Sequence, residues 1–279
     1  MDGKDALERL AAEAESGELV FPTHAYVALR VRMTLDNPDL HFDDAAKAVQ
    51  AEPLLAAKVV SIANSVAFNR SGKPIADVRS AIVRLGVGLV RALATALVMR
   101  QMSAAPTTAA HQALAARLWE HTSHVSALAY VLARRVSKLN PDIAMFAGIV
   151  HEVGGFYLLA RAAAYPGLVD DGVDPAWTEG GEAKVGAAVL RALTVPDEVL
   201  EAVHGLWEGK AVLPPVTLAD TLFLANCLTP IANPLQSASA VHRDEMMAVT
   251  SRVMADEALA AVVEESVEEL DALAATLRF

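Results

Sequence analysis

The sequence predicts an all-α protein, and three observations on its 279 residues support this. Hydrophobic residues make up 54% of the chain, whereas aromatic residues make up only 5%. This composition suits a core of Ala, Leu and Val on packed helices better than a core of aromatic-rich strands. Apolar residues also recur at helical spacing, and we find no strong strand pattern. The sequence has no glycine-rich phosphate loop and no repeat of fixed period.

The first hundred residues are predicted to form six helices. Pro22-Thr23 and Pro53 are typical of helix starts, and Gly86 is typical of a helix end. Residues 68–74 are rich in Asn, Gly and Pro, which indicates a loop. The predicted helices cover residues 4–15, about 23–36, 43–52, 54–67, 78–85 and 88–103.

A second set of helices follows. Asn140-Pro141 ends a long helix and starts the next, because Asn is a good N-cap and Pro fits the first helical turn. Residues 165–175 are expected to form a loop, and residues 231–242 are expected to be irregular. One predicted helix covers about residues 110–138, and the next carries residues 145–159. Three more helices are predicted at about 179–193, 196–207 and 216–229, and an acidic amphipathic helix at 256–277.

The segment 104–108, which contains Pro106, is the best candidate for a boundary. It predicts an N-terminal helical half (1–105), a C-terminal helical half (106–230) and a C-terminal loop and acidic helix (231–279). No membrane span is expected, because the apolar runs are short or interrupted by charge. Cys227 is the only cysteine and the first residues do not resemble a signal peptide, so we expect a cytoplasmic protein.

Charge is distributed unevenly along the chain. The net charge of −11 argues against general nucleic-acid binding, because phosphate binding needs concentrated Lys and Arg. From Lys58 to Arg100, however, seven basic residues oppose one acidic residue, whereas nine acidic residues oppose three arginines from Arg243 to the end. Arg84 and Arg91 are seven residues apart, so we expect them on one face, binding an acidic partner or the chain's own last helix. The alternative is that these helix faces are simply solvated.

Five polar residues in the second half lie within apolar helical segments and could form one buried cluster. His151 and Glu152 are adjacent inside the apolar run 145–159, and burial of either without a partner would cost several kcal/mol. His121, His204 and Asp220 lie on other predicted helices. Facing helices can bring such residues together as a metal site or as a hydrogen-bonded network. Both interpretations remain open at this point.

The chain resembles the HDOD domain family, a degenerate branch of the HD phosphohydrolase superfamily, over about residues 18–230. In the first half the resemblance rests on Asn64-Ser65 and on the later Ala-Ile-x-x-Leu-Gly motif that ends at Gly86. In the second half it rests on Trp119, on the motif 148–154 that contains His151 and Glu152, and on the segments around His204 and Asp220. The resemblance implies an all-helical HDOD-like bundle with an HD-like second half, and a non-catalytic role in bacterial signal transduction.

The resemblance also assigns candidate metal ligands. His121, His151 and Asp220 match superfamily ligands, and Glu152 replaces the aspartate of the His-Asp pair. Ala183 occupies the approximate position of a further histidine in two-metal relatives, which disfavours a two-metal site. These departures favour a hydrogen-bonded network, with His204 as an additional residue of the cleft. A site for one Mn, Fe or Mg ion remains the alternative.

The leading functional hypothesis is therefore a stand-alone regulatory adaptor with a degenerate active site, which acts through protein–protein interaction and needs no cofactor. The alternatives are a metal-dependent phosphohydrolase acting on a nucleotide or phosphoester, and a small-ligand sensor that uses the vestigial HD cleft. Asn64, Ser65, Gly86 and Trp119 are expected to be structural, with Asn64 holding the loop that follows its helix. The sequence does not indicate an oligomeric state.

Overall fold

The computed structural model describes residues 2–16, 25–37, 39–65, 67–69, 72–105, 108–170, 172–209, 211–236, 249–252 and 256–277. These residues contain fourteen α-helices and no strand, which confirms the predicted all-α class. The helices are α1 (Gly3–Glu15), α2 (Ala25–Leu35), α3 (Phe42–Gln50), α4 (Pro53–Ala63), α5 (Val78–Leu85), α6 (Val87–Ser103), α7 (Ala109–Leu132), α8 (Pro141–Val150), α9 (Val153–Arg161), α10 (Glu182–Ala192), α11 (Asp197–Glu208), α12 (Leu218–Leu228), α13 (Glu257–Glu265) and α14 (Val267–Leu277).

Local capping explains where several helices begin. The Asp77 side chain accepts a hydrogen bond from the Ser80 amide at the start of α5, and Asn140 accepts from two amides at the start of α8. Thr217 and Asp220 form a reciprocal capping box at the start of α12. Each cap satisfies amides that lack a partner within the helix. The predicted cap Thr23, the boundary residue Pro106 and the stretch 237–242 lie outside the described residues.

Two predicted helices are each divided in the structure. The apolar run 145–159 is interrupted at Glu152, whose ψ of 15° departs from the helical value, so that α8 and α9 are separate helices. The acidic C-terminal segment is interrupted at Ser266, between α13 and α14. The long helix α7 ends at Leu132 and continues as a π-helical turn, Ala133–Ser137, closed by left-handed Lys138. The break at Glu152 matters most, because it places two adjacent polar residues at a helix junction.

The core is built around α7, which packs against α6, α8, α9, α12 and α14. Helix α1 lies against α10, where Lys184 Nζ is 2.8 Å from Glu8 Oε1. The N-terminal helix thus contacts the C-terminal half, and the division at residues 104–108 stays a prediction.

One described segment, Pro141–Ala164, is long and apolar enough to cross a membrane by length and composition. It comprises α8, α9 and the short turn after them, and 89% of its most apolar window is buried inside the molecule. Its apolar surface is therefore covered by other helices, as in the core of a globular domain.

Candidate functional site

Three of the predicted site residues meet where α7 passes the junction of α8 and α9. His121 lies on α7, His151 is the C-cap of α8, and Glu152 precedes α9. One ligand atom from each residue lies within 4.8 Å of the other two. The Nε2 atoms of the histidines are 3.4 Å apart, and His151 Nε2 is 3.4 Å from Glu152 Oε1. We call these three residues the His-Glu cluster.

The protonation of both imidazole rings follows from their hydrogen bonds. His121 Nδ1 is 2.7 Å from the Ile231 carbonyl oxygen, and His151 Nδ1 is 2.7 Å from the Gly148 carbonyl oxygen. A carbonyl oxygen only accepts, so each Nδ1 carries the proton and each Nε2 presents a lone pair to the other ring. Burial lowers the pKa of His121 to about 4 and that of His151 to about 3, so both rings are neutral near pH 7.

Burial shifts the pKa of Glu152 upward, whereas it shifts the pKa values of the two histidines downward. Its side chain is 2% exposed, and Asn233 Nδ2 donates a hydrogen bond of 2.7 Å to Oε1. Burial raises the pKa of this carboxyl well above its ordinary value, and the carboxyl of Glu182 adds to the increase. A cation bound between the three side chains would reverse this effect, because it would favour the ionised carboxylate.

The segment that follows α12 covers the His-Glu cluster. The Ile231 carbonyl and the Asn233 amide bond to His121 and Glu152, while Leu235 is fully buried. A Cβ atom added to Gly155 would lie 2.8 Å from Leu235 Cδ1, which shows how closely this segment approaches α9. The sequence contained no signal for this role, since residues 231–242 are expected only to be irregular.

Asn226 on α12 is a further residue of the site that sequence reasoning missed. Its side chain interacts with His121, and its Oδ1 is buried without a hydrogen-bond partner among the residues that the structure describes. A polar residue inside the apolar stretch 222–228 is a signal that could have identified it.

Asp220 is not part of the cluster, which departs from the predicted ligand set. Its carboxylate accepts hydrogen bonds from the amides of Val212, Val216 and Thr217 and from the Thr217 hydroxyl, at 2.7 to 3.3 Å. These donors lie within eight residues of Asp220 and occupy both carboxylate oxygens. Asp220 therefore fixes the loop 212–217 to the start of α12.

Replacement of Asp220 by asparagine tests this role. We expect Asp220→Asn to lower the free energy of unfolding at pH 7 by about 2 kcal/mol, because the new amide group would face N–H donors. Burial opposes ionisation of Asp220, but the hydrogen bonds outweigh it and the net effect lowers its pKa. The wild-type advantage should thus be complete above the unfolded-state pKa of about 3.9 and disappear as the pH falls through the lower folded-state value.

Urea unfolding of both proteins at pH 7 and pH 3 would measure the difference. The exposed first-turn residue Asp197 provides a control, and Asp197→Asn should change the stability by less than about 0.5 kcal/mol. Equal stability of Asp220→Asn and wild type at pH 7 would contradict the role assigned to this carboxylate.

Comparison with known proteins identifies the family. The HDOD domain matches residues 21–205, about two thirds of the chain. The chain belongs to the HDOD domain family. A search of curated proteins gives no significant match. The resemblance seen in the sequence is therefore confirmed at the level of the family.

Solved structures share the HDOD fold along the whole chain. A Shewanella amazonensis SB2B protein, provisionally named a metal-dependent phosphohydrolase, is 22% identical with a TM-score of 0.69, and the match covers 100% of both chains. An HDOD domain protein of unknown function from Geobacter sulfurreducens is 21% identical with a TM-score of 0.63, covering 99% of this chain and 98% of the other. A provisionally named signal transduction protein from Marinobacter aquaeolei VT8 is 21% identical with a TM-score of 0.58, and the match covers 100% of this chain and 67% of the other. At these identities the likeness shows the fold.

His204, expected in the HDOD cleft, lies on α11 and is partly buried. Its ring stacks edge-on against Trp207 of the same helix, with 5.0 Å between ring centroids. His204 is not among the three residues that converge in the His-Glu cluster.

The two arginines proposed for partner binding do not share a helical face. The chain bends by 109° between α5 and α6, so the seven-residue spacing of Arg84 and Arg91 does not place them on one helix. Arg84 donates to the carbonyl oxygens of Ala63 and Lys73 at 2.9 and 3.1 Å. Arg91 Nη1 is 3.4 Å from Asp36 Oδ1.

The acidic last helix pairs with other arginines. In the part of the chain that the structure describes, Arg134 pairs with Glu269, and Arg135 lies 3.4 Å from Glu265 and 3.6 Å from Glu269. These two arginines belong to the π-helical turn Ala133–Ser137 that follows α7, so this turn contacts the acidic C-terminal segment.

The remaining HDOD signature residues are Asn64, Ser65, Gly86 and Trp119, and three of them have an evident structural role. The Asn64 amide donates to the Val60 and Ile75 carbonyls and accepts from the Ile75 amide, at 2.7 to 3.1 Å. Ser65 follows it, and its hydroxyl is buried without a hydrogen-bond partner among the described residues. Gly86 has a φ of +81°, which allows the bend between α5 and α6. The Trp119 indole donates to the Leu277 carbonyl at 3.2 Å.

Proposed function

We propose that this HDOD protein is a non-catalytic regulatory protein that binds a protein partner in a bacterial signalling pathway. The observation that carries the proposal is the closure of the His-Glu cluster, since His121, His151 and Glu152 are each no more than 2% exposed. A hydrolytic metal centre needs an open coordination position that water and a phosphoester can reach. Here Asn233 already bonds to the Glu152 carboxylate, and Leu235 of the same segment is fully buried.

The use of Asp220 supports the same conclusion. In the catalytic relatives that the sequence resembles, the matching aspartate is a metal ligand. In this chain both of its oxygens accept hydrogen bonds from residues 212–217. The provisional name of the Marinobacter protein, which has the same fold, is consistent with a signalling role.

A phosphoester panel assayed with Mn²⁺, Mg²⁺ and Fe²⁺ tests the absence of catalysis. We expect wild type to show no turnover above His151→Ala, because substrate cannot reach the buried ligand atoms. His204→Ala serves as the matched histidine control outside the cluster. Turnover that is lost in His151→Ala and retained in His204→Ala would overturn the proposal and favour a phosphohydrolase.

A second candidate role is the binding of one divalent cation as a structural ion. It is favoured by the two Nε2 lone pairs that face each other at 3.4 Å, with both Nδ1 atoms held by carbonyl groups. Metal-binding histidines commonly donate their other ring N–H in this way. Two imidazoles and one carboxylate suit Mn²⁺ or Fe²⁺ better than Mg²⁺, which prefers oxygen ligands alone. Such an ion would supply positive charge that stabilises ionised Glu152.

Metal analysis of protein purified without a His-tag tests this second role. We expect metal to be retained after loading with Mn²⁺ or Fe²⁺, to be lost in His151→Ala and to persist in Asp220→Asn, whose carboxylate is occupied elsewhere. No retained metal in the loaded wild type would exclude the cation, and loss in Asp220→Asn would restore Asp220 to the ligand set.

A further inference from the structure

A second polar site lies away from the His-Glu cluster, in a cavity of about 340 Å³ between α6, α8 and α11. Its volume is at the lower end of the range for small-molecule sites. Helix α6 contributes Gly88 and Arg91, α8 contributes Asp142 with the apolar Ile143 and Phe146, and α11 contributes Val199 and the rim residue Glu198.

The charges in this cavity are separated by helix. Arg91 supplies the positive charge on α6, whereas Asp142 and Glu198 supply negative charge on α8 and α11. No ion pair within 4.0 Å joins Arg91 to either carboxylate among the described residues. The cavity therefore has a cationic wall and anionic walls, with apolar side chains between them.

Asp142 lacks a partner for its charge. Among the described residues its carboxylate has no hydrogen-bond donor and no cation within ion-pair distance, and burial raises its pKa. Its position in the first turn of α8 favours a negative charge through the helix dipole. Because the net shift of the Asp142 pKa is upward, burial outweighs the favourable effect of the helix N-terminus. The ammonium group of a ligand would supply the positive charge that the Asp142 carboxylate lacks.

Arg91 has capacity for an anion. Its partner Asp36 is shared with the buried Arg32, at 3.4 Å from each guanidinium group. One carboxylate thus faces two positive charges, and within the described part of the chain one of these charges has no second carboxylate at ion-pair distance. Arg91 is also partly exposed, with 29% of its side chain accessible, so its guanidinium can meet a ligand from solvent.

The spacing of the two groups limits the ligand. A Cβ atom added to Gly88 would lie 3.7 Å from Asp142 Oδ2, so Asp142 approaches α6 at Gly88. Arg91 follows three residues later, roughly one helical turn or about 5 Å along the axis. Arg91 and Asp142 line the same cavity as the apolar Phe146 and Val199, so the ligand that suits it carries an ammonium group, a carboxylate and an apolar side chain within a small volume.

We propose that this cavity binds a small zwitterion, an α-amino acid with an apolar side chain, with its ammonium group on Asp142 and its carboxylate on Arg91. The inference is independent of the regulatory role proposed above and adds a ligand input to it. It also differs from sensing in the HD cleft, because none of the cavity residues belongs to the His-Glu cluster.

Thermal unfolding with L-leucine as the probe, at millimolar concentrations, tests the proposal. A ligand that binds only the folded state raises the unfolding temperature. Two analogues separate the charges: isoamylamine lacks the carboxylate, and 4-methylpentanoate lacks the ammonium group. We expect L-leucine to raise the unfolding temperature of wild type and both analogues to have little effect. An equal shift with isoamylamine, or no shift with L-leucine, would overturn the proposal.

Two variants locate the site. Asp142→Asn should be at least as stable as wild type without ligand, since it removes an uncompensated charge, and should weaken L-leucine binding at least about tenfold by titration calorimetry. Arg91→Gln should weaken it similarly, whereas Asp197→Asn, on the exposed start of α11 and outside the cavity lining, should not. Unchanged L-leucine affinity in both Asp142→Asn and Arg91→Gln would overturn the assignment of the cavity.

Discussion

Replacement of Gly148 by alanine is expected to lower the free energy of unfolding by about 3 kcal/mol. A Cβ atom at this position would lie 2.5 Å from Ser126 Cα and 3.0 Å from the Ser126 backbone nitrogen. The obstacle is the backbone of α7, which cannot move aside as a flexible side chain can. Helices α7 and α8 would have to separate along a contact that is central to the core. Urea unfolding would measure the loss.

Gly88 provides a matched control for this substitution. A Cβ atom there would meet only Asp142, at an ordinary contact distance of 3.7 Å. Gly88→Ala should therefore be neutral or stabilising by up to about 1 kcal/mol, since alanine favours helices. A loss below about 1 kcal/mol in Gly148→Ala would contradict the close packing of α7 and α8.

The Gly148→Ala substitution should also disturb the His-Glu cluster. Gly148 is one turn before His151, and its carbonyl oxygen accepts the hydrogen bond of His151 Nδ1. His121 projects from α7, so separation of α7 and α8 would lengthen the 3.4 Å distance between the two Nε2 atoms. Gly148 thus permits the close approach of α7 and α8, the two helices on which His121 and His151 are positioned.

Most helices, and the burial of His151 and Glu152, could be predicted from sequence because their signals are local. Caps such as Asn140, and stop signals such as Gly86, act through neighbouring residues, and the apolar context of His151 and Glu152 indicated their burial. The role of Asp220 could not be predicted, since Asp in an apolar helix suits a metal ligand and a capping box equally. The donors that decide between them come from the fold of residues 212–217.

Longer-range contacts had no sequence signal. Asn233 reaches Glu152 across 81 positions of the chain, and Ile231 reaches His121 across 110. Neither residue type predicts such a partner. The closure of the cluster, on which the non-catalytic proposal depends, is therefore a property of tertiary packing that motif comparison alone does not reveal.

Replacement of Arg32 by methionine should have a still larger effect, a loss of about 4 kcal/mol in the free energy of unfolding, because two charge-assisted hydrogen bonds to carbonyl oxygens would be lost. Arg32 on α2 is 1% exposed, and it donates to the carbonyl oxygens of Leu193 and Thr194 beyond the end of α10. Carbonyl groups at a helix C-terminus lack partners within the helix. Thr194 also has a φ of +51°, an unfavourable value for a β-branched residue that this bonding holds in place.

Methionine would fill much of the volume of Arg32 but would leave the carbonyl groups of Leu193 and Thr194 without this donor, whereas Asp36 would keep Arg91. Arg30, exposed on the same helix, provides the control, and Arg30→Met should change the stability by less than about 0.5 kcal/mol. Urea unfolding monitored by circular dichroism would compare the three proteins. Because α2 belongs to the first half of the chain and α10 to the second, equal stability of Arg32→Met and Arg30→Met would mean that this buried arginine does not hold the two halves together.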